Sequence, residues 1–210
     1  MILYGYALSS ASYRVRIALG LKGLQATAVS LDLRAGEQRR EEFLKLNSQG
    51  FVPTLVLDGG EVLTQSVAII EYLDETHPAP PLMPASPAGR ARVRALTQAI
   101  TCDIHPLNNL RVLKYLESEL KQDKPQRDAW YRHWVSEGFT AIERRLGCDG
   151  GTGRFCHGDT PTLADVCLVP QVFNARRFSV DLALYPRIAA IDAACRELAA
   201  FQQAAPERQG

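Results

Sequence analysis

The sequence predicts an α/β domain over residues 1–80 and an all-α domain over residues 89–210, joined by a proline-rich linker at 81–88. Three observations carry that prediction. The first half reads in order as strand, helix, strand, hairpin and helix. Prolines at 78, 80, 81 and 84 then end regular structure, because each lacks an amide donor and disfavours helix before it. Beyond Pro87 only the helical spacing of apolar residues recurs.

Met1-Ile-Leu-Tyr-Gly-Tyr6 is a short buried strand, and Ser9 to Leu19 follows at once as a helix with hydroxyls at its start. Gln25 to Leu31 alternates loosely through Ala26, Ala28, Val29 and Leu31, which suits a second strand parallel to the first across a right-handed crossover. A short helix is expected from Gln38 to Leu46, broken by Asn47-Ser-Gln-Gly50. Val52 to Leu57 and Glu61 to Thr64 flank Asp58-Gly-Gly60 and form a hairpin. Pro53 cannot donate to a ladder, so it stands at the strand's first position, where a cis peptide is compatible. Gln65-Ser66 opens the next helix, which runs to Thr76.

In the second half, Gly89 to Gln122 reads as one long helix kinked at Pro106, and Arg127 to Leu146 as another, with Trp130 and Trp134 as a packing stripe. Gly147 to Gly158 is a glycine-rich loop. Thr162-Leu-Ala-Asp165 has the form of a capping box and starts a helix whose Val166, Leu168, Val169 and Val172 predict burial, so Asp165 is assigned to capping. Arg187 to Ala204 is one helix or two, and Pro206 to Gly210 is expected to fray.

Composition excludes some function classes. Twenty-four Lys and Arg against 23 Asp and Glu leave a net charge of +1, so no global field favours nucleic acid or an anionic membrane. No window approaches 18 uninterrupted apolar residues and the start of the chain lacks a leader pattern, so a cytoplasmic protein is expected. The five cysteines are odd in number, far apart and without metal-ligand spacing; they are read as reduced, and no metal site is expected.

Any anion preference must therefore be local, and the start of the first helix supplies one. Its amide groups point outward at the positive end of the peptide dipole, with Ser9 and Ser10 beside them. A phosphate, a carboxylate or a thiolate would be held there equally well. Taken alone, these serines are also plain helix caps. Arg14 and Arg16 lie on an otherwise apolar helix and serve either a ligand or buried acids. His105, just before Pro106, reads as a packed histidine rather than a general base.

The order of elements, together with Ser9-Ser-Ala-Ser-Tyr-Arg-Val-Arg-Ile-Ala-Leu19, Val52-Pro53 and Gln65-Ser66, resembles the zeta class of the cytosolic glutathione transferases. Cys102 to Leu113, and Gly158 to Asp165 continuing to Phe178, are similar to the bacterial maleylacetoacetate isomerases of that class. The resemblance implies a thioredoxin-like first domain, glutathione as cofactor and a homodimer. It also implies isomerisation of maleylacetoacetate to fumarylacetoacetate, in tyrosine and phenylalanine breakdown, by thiolate addition, bond rotation and elimination.

By resemblance, Ser9 and Ser10 would activate the thiol, with Ala11, Gln38, Val52 and Pro53 also against glutathione and Gln65-Ser66 on its γ-glutamyl carboxylate. His105, Asn109, Leu110 and Arg111 fall on further glutathione positions, and Arg14, Arg111 and Arg176 would meet substrate carboxylates, Arg14 and Arg111 with a catalytic part. Two positions depart from the family pattern. Ala11 stands where a cysteine is common, so no protein thiol is assigned there, and Leu8 stands where many relatives carry an arginine. Maleylpyruvate isomerisation, conjugation of general electrophiles and a non-catalytic binding module remain alternatives. Thiol–disulfide exchange is disfavoured, because no cysteine stands at the first helix.

Overall fold

The computed structural model describes residues 1–209, in two compact units. The first comprises Met1–Pro81 together with Arg196–Gly210, the second Leu82–Cys195.

In the first unit, β1 (Ile2–Gly5) passes through α1 (Ser10–Leu21) to β2 (Thr27–Ser30), parallel to it with Leu3 opposite Ala28. A short helix α2 (Glu41–Leu46) precedes the hairpin of β3 (Thr54–Val56) and β4 (Val62–Thr64), and α3 (Ser66–Thr76) closes the unit. The sheet order is β2-β1-β3-β4, with β3 antiparallel to both neighbours. Leu3 and Leu55 face each other in register and are buried with Ile17 and Ala18 of α1 and Ile69, Ile70 and Leu73 of α3. Alternation turns Tyr4 to the opposite face, where its ring lies 5.9 Å from that of Phe43 in α2.

Lys22, at the C-cap of α1, has a wholly buried side chain. Its Nζ donates to Asp74 Oδ1 at 2.5 Å and to the carbonyls of His77 and Pro80 at 2.7 and 2.6 Å. An ammonium has three protons, and each one here has an acceptor. The cation thereby ties α1 to the end of α3 and to the start of the proline-rich stretch, where Ala79–Pro80, like Val52–Pro53, is cis.

The second unit runs through α4 (Pro87–Gln98), α5 (Leu110–Ser118), α6 (Lys124–Cys148), α7 (Leu163–Arg177) and most of α8 (Pro186–Arg196). Helix α7 is its buried centre, with Val166, Cys167, Leu168 and Val172 fully enclosed. The capping box forms as expected: Asp165 accepts from the Thr162 amide and hydroxyl, both at 2.8 Å, and also from the Cys156 amide at 2.7 Å. Trp130 and Trp134 pack edge to face at 5.6 Å, and the Trp130 indole donates to the Leu107 carbonyl.

Three sequence expectations are corrected. The single kinked helix over residues 89–122 is instead interrupted: after α4 come a π turn at Ala99–Ile104, closed by the His105 amide on the Ile100 carbonyl, and a 3-10 turn at Pro106–Asn108. Pro106 offers no amide to continue an α-helical ladder. Gly138 of α6 has no Cβ, and one there would lie 2.3 Å from Ile104, so the interrupted segment sits close against α6. The domain expected over residues 89–210 ends early, because Arg196–Gly210, including α9 (Ala199–Ala204), belongs to the first unit. The terminal residues expected to fray form a 3-10 turn at Pro206–Arg208 with Pro206 buried.

Candidate functional site: the start of the first helix and its neighbours

β1 delivers the chain into a tight turn, Tyr6 to Ser9, closed by the Ser9 amide on the Tyr6 carbonyl at 3.0 Å. Ser9 has extended backbone and is the N-cap of α1. Its Oγ accepts from the Ser12 amide at 3.2 Å, which leaves the hydroxyl proton to be donated elsewhere. Ser12 is fully buried and returns the contact by accepting from the Tyr6 amide at 3.4 Å. A Cβ on Gly5 would stand 3.2 Å from Ser12 Oγ, so this close approach favours glycine. No acidic residue occupies the first turn of α1, and the positive end of its dipole is not neutralised there.

The start of α3 is linked to α1, and a loop is linked to that start. Arg14, only 2% exposed, donates from Nη1 to the hydroxyl of Ser66, the first residue of α3, at 3.3 Å. Arg14 therefore meets the hydroxyl of one of the expected site residues. Gln65 precedes Ser66 with φ +68 and ψ 115, a backbone state that costs a side-chain-bearing residue about 1–3 kcal/mol. Its amide donates to Gln49 Oε1 at 3.0 Å. Val52 stands two residues ahead of Thr54, the first residue of the β3 ladder, with Pro53 buried beside it. Gln38 donates to the Leu33 carbonyl, while its Oε1 is buried with no hydrogen-bond partner. Gly50, at φ +62, packs on the Gln38 backbone, since a Cβ there would be 2.9 Å from that carbonyl. Ser9, Ser10, Ala11, Gln38, Val52, Pro53, Gln65 and Ser66 therefore all lie in the first unit, linked by the Arg14–Ser66 and Gln49–Gln65 bonds. Gln49 was not foreseen; its only signal was its place in the Asn47-to-Gly50 break.

The strain at Gln65 makes a testable separation. Gln65→Gly removes the side chain that resists positive φ, so unfolding in urea should show equal or higher stability, by up to about 1 kcal/mol. If the Gln65 amide also meets a bound glutathione, as the resemblance implies, its loss should weaken that binding about tenfold in calorimetry, the worth of one hydrogen bond. A clearly destabilised glycine variant would contradict the reading of Gln65 as strained.

The other expected site residues lie in the second unit. His105 is half-buried between the π turn and the 3-10 turn. Asn109 caps α5, its Oδ1 accepting from the Arg111 amide at 3.2 Å, so its amide group is what remains for a ligand. Leu110 is half-buried and Arg111 exposed in the first turn. Arg176 Nη2 donates to the buried carboxylate of Asp192 at 2.6 Å, an ion pair between α7 and α8. All five cysteines are also in this unit; Cys102 and Cys148 are exposed, and Cys156, Cys167 and Cys195 buried. The buried thiols Cys156 and Cys195 are pushed up from their ordinary titration range by desolvation, and neither is an activated nucleophile.

The chain is similar in sequence and fold to known proteins. Residues 3–81 match the glutathione S-transferase N-terminal domain, and residues 110–201 the C-terminal domain. A probable maleylacetoacetate isomerase of Vibrio cholerae is 50% identical over 100% of this chain and 97% of its own length. The solved holo structure of a maleyl pyruvate isomerase, described as a bacterial zeta-class glutathione S-transferase, is 50% identical with a TM-score of 0.97, covering 100% of this chain and 98% of that one. A maleylacetoacetate isomerase of Methylobacterium extorquens AM1, solved with malonate and glutathione bound, has a TM-score of 0.97 at 41% identity, covering 100% and 98%.

Proposed function

This chain belongs to the glutathione S-transferase family, in its zeta class, and on that premise we propose that it is a glutathione-dependent cis–trans isomerase converting maleylacetoacetate to fumarylacetoacetate. The observation that carries this reading is the start of α1, an unneutralised helix N-terminus with a serine hydroxyl whose proton is free to donate. The buried, unsatisfied Gln38 Oε1 supports it further, because an amide donor of a bound peptide would complete that acceptor. The first unit contains no cysteine, in keeping with a sulfur that arrives from outside. When bound, glutathione supplies a thiolate that adds to the conjugated double bond and leaves after rotation, so it is not consumed.

The chain's own residues bind, orient and hold charge. Ser9 donates to the thiolate together with the α1 amides, which lowers the thiol's pKa; one to two units require about 1.4–2.7 kcal/mol, within reach of a dipole plus one hydrogen bond. Ser66, fixed by Arg14, and Gln65 take the γ-glutamyl carboxylate, and Val52 presents its backbone to the cysteinyl unit as an added strand would. Arg111 is assigned to the substrate's carboxylate and developing negative charge. A cytoplasmic homodimer goes with this reading.

Leu8 favours one second reading. A missing arginine beside the serines relaxes selection for the substrate's tail, and maleylpyruvate shares the reacting group. Specificity constants measured with both compounds separate the two, and kcat/KM is expected to be higher for maleylacetoacetate. Glutathione binding without conversion of either compound would contradict isomerase function.

A further inference from the structure

We propose that Arg16 is a positioning residue for the thiol site, its guanidinium fastening the turn that delivers Ser9 to the C-terminal segment of the chain. The inference rests on the reading of Ser9 given above. Arg16 Nη2 donates to the Ala7 carbonyl at 3.1 Å, and its Nε donates to the Ala204 carbonyl at 3.0 Å. Ala7 is two residues ahead of Ser9, inside the Tyr6–Ser9 turn.

That turn is Tyr-Ala-Leu-Ser, with neither glycine nor proline to fix its backbone, so its geometry depends on hydrogen bonds. The Ser9 amide on Tyr6 closes it and the Ser12 hydroxyl holds its first residue; Arg16 holds its second. Ser9 Oγ is aimed by the extended backbone that follows this turn, and a donor displaced by even half an ångström loses much of its effect on a thiolate.

The other end of the tether is equally specific. Ala204 is the last residue of α9, where carbonyls lack intrahelical partners and carry the negative end of the dipole. The terminal segment lies along α1: the Tyr13 hydroxyl donates to the Phe201 carbonyl at 3.4 Å, and a Cβ on Gly20 would stand 3.1 Å from the Cβ of Ala200. The Arg16 guanidinium also sits 5.4 Å from the centre of the Tyr13 ring. Burial pushes Arg16 down to about 10, so it remains a cation at neutral pH. Here a residue remote in sequence supports the helix start, which gives α9 a part in the site without touching the ligand.

The test uses three full-site proteins beside the wild type: Arg16→Met, which keeps the stem and removes the donors; Arg16→Lys, which reaches one carbonyl at a time; and a chain ending at Gln203. The readouts are the thiol pKa of bound glutathione, from thiolate ultraviolet absorbance, and the pH profile of kcat/KM for isomerisation. Arg16→Met and the shortened chain should raise the thiol pKa by about 0.5–1 unit. Their kcat/KM at pH 7 should then fall about three- to tenfold, with the gap closing at alkaline pH, because a unit of pKa is tenfold in thiolate. Arg16→Lys should fall between. A merely structural role would lower kcat/KM equally at every pH. If Arg16→Met fails to fold, the lysine variant and the shortened chain decide. Variants that titrate glutathione as the wild type does overturn this inference alone; a wild type that binds glutathione without lowering its thiol pKa overturns the functional reading as well.

Discussion

Replacing Lys22 by methionine is expected to cost about 3–5 kcal/mol of folding stability, the loss found when one partner of a buried ion pair is removed. Methionine fills a similar volume, so the loss isolates the charge. The ammonium is wholly enclosed and serves three acceptors at once, the Asp74 carboxylate and the carbonyls of His77 and Pro80. Taking it away leaves the Asp74 carboxylate without its ammonium and strips two carbonyls of their donor, and the loss of several bonds at once exceeds what an ordinary surface contact is worth. The double variant Lys22→Met with Asp74→Leu should recover part of the loss, since the carboxylate that loses its ammonium is removed as well. Urea unfolding followed by circular dichroism measures both. A single variant within about 1 kcal/mol of the wild type would show that the cluster is solvated rather than buried.

Ser9→Ala should lower kcat/KM for isomerisation by roughly 10- to 150-fold, the equivalent of about 1.5–3 kcal/mol for one hydrogen bond to a charged sulfur. The same change removes the N-cap of α1, and a cap is worth about 1 kcal/mol of stability. The two effects separate in Ser9→Thr, which retains both the cap oxygen and the proton to donate and should keep most of the activity. Urea midpoints reported alongside the kinetics show whether lost activity exceeds lost folding. An alanine variant with kcat/KM near that of the wild type would assign Ser9 to capping alone.

Much of this molecule could be read from local pattern. The βαβ unit, the proline-led hairpin and the Thr162–Asp165 capping box are each written within a few residues, where periodicity and turn chemistry act directly. What escaped was non-local. Lys22 looks like an ordinary cation at a helix end, because its three acceptors lie 52, 55 and 58 residues away. Arg16 was known only as a charge on an apolar helix, and its partner Ala204 is 188 residues distant. The π turn at Ala99–Ile104 likewise packs its Ile104 against Gly138, a glycine in another helix. Arg176 was also read only as a cation in a family-like stretch, and its pairing with Asp192, 16 residues away on the next helix, had no local signal.

The elements that carry the candidate site were legible to a similar degree. Ser9, Gln38, Val52, Gln65 and Ser66 occupy one unit, and the strained φ of Gln65 has no sequence signal of its own. Arg14 is buried and donates to Ser66, a contact that a helical wheel does not show.

The central claim is that the start of α1 turns an external thiol into a thiolate near neutral pH. Titrating the ultraviolet absorbance of glutathione bound to the wild-type protein tests it most directly. The thiol should ionise one to two pH units below the value of about 8.5 for an unperturbed thiol. A bound thiol that titrates where the free one does would contradict the account.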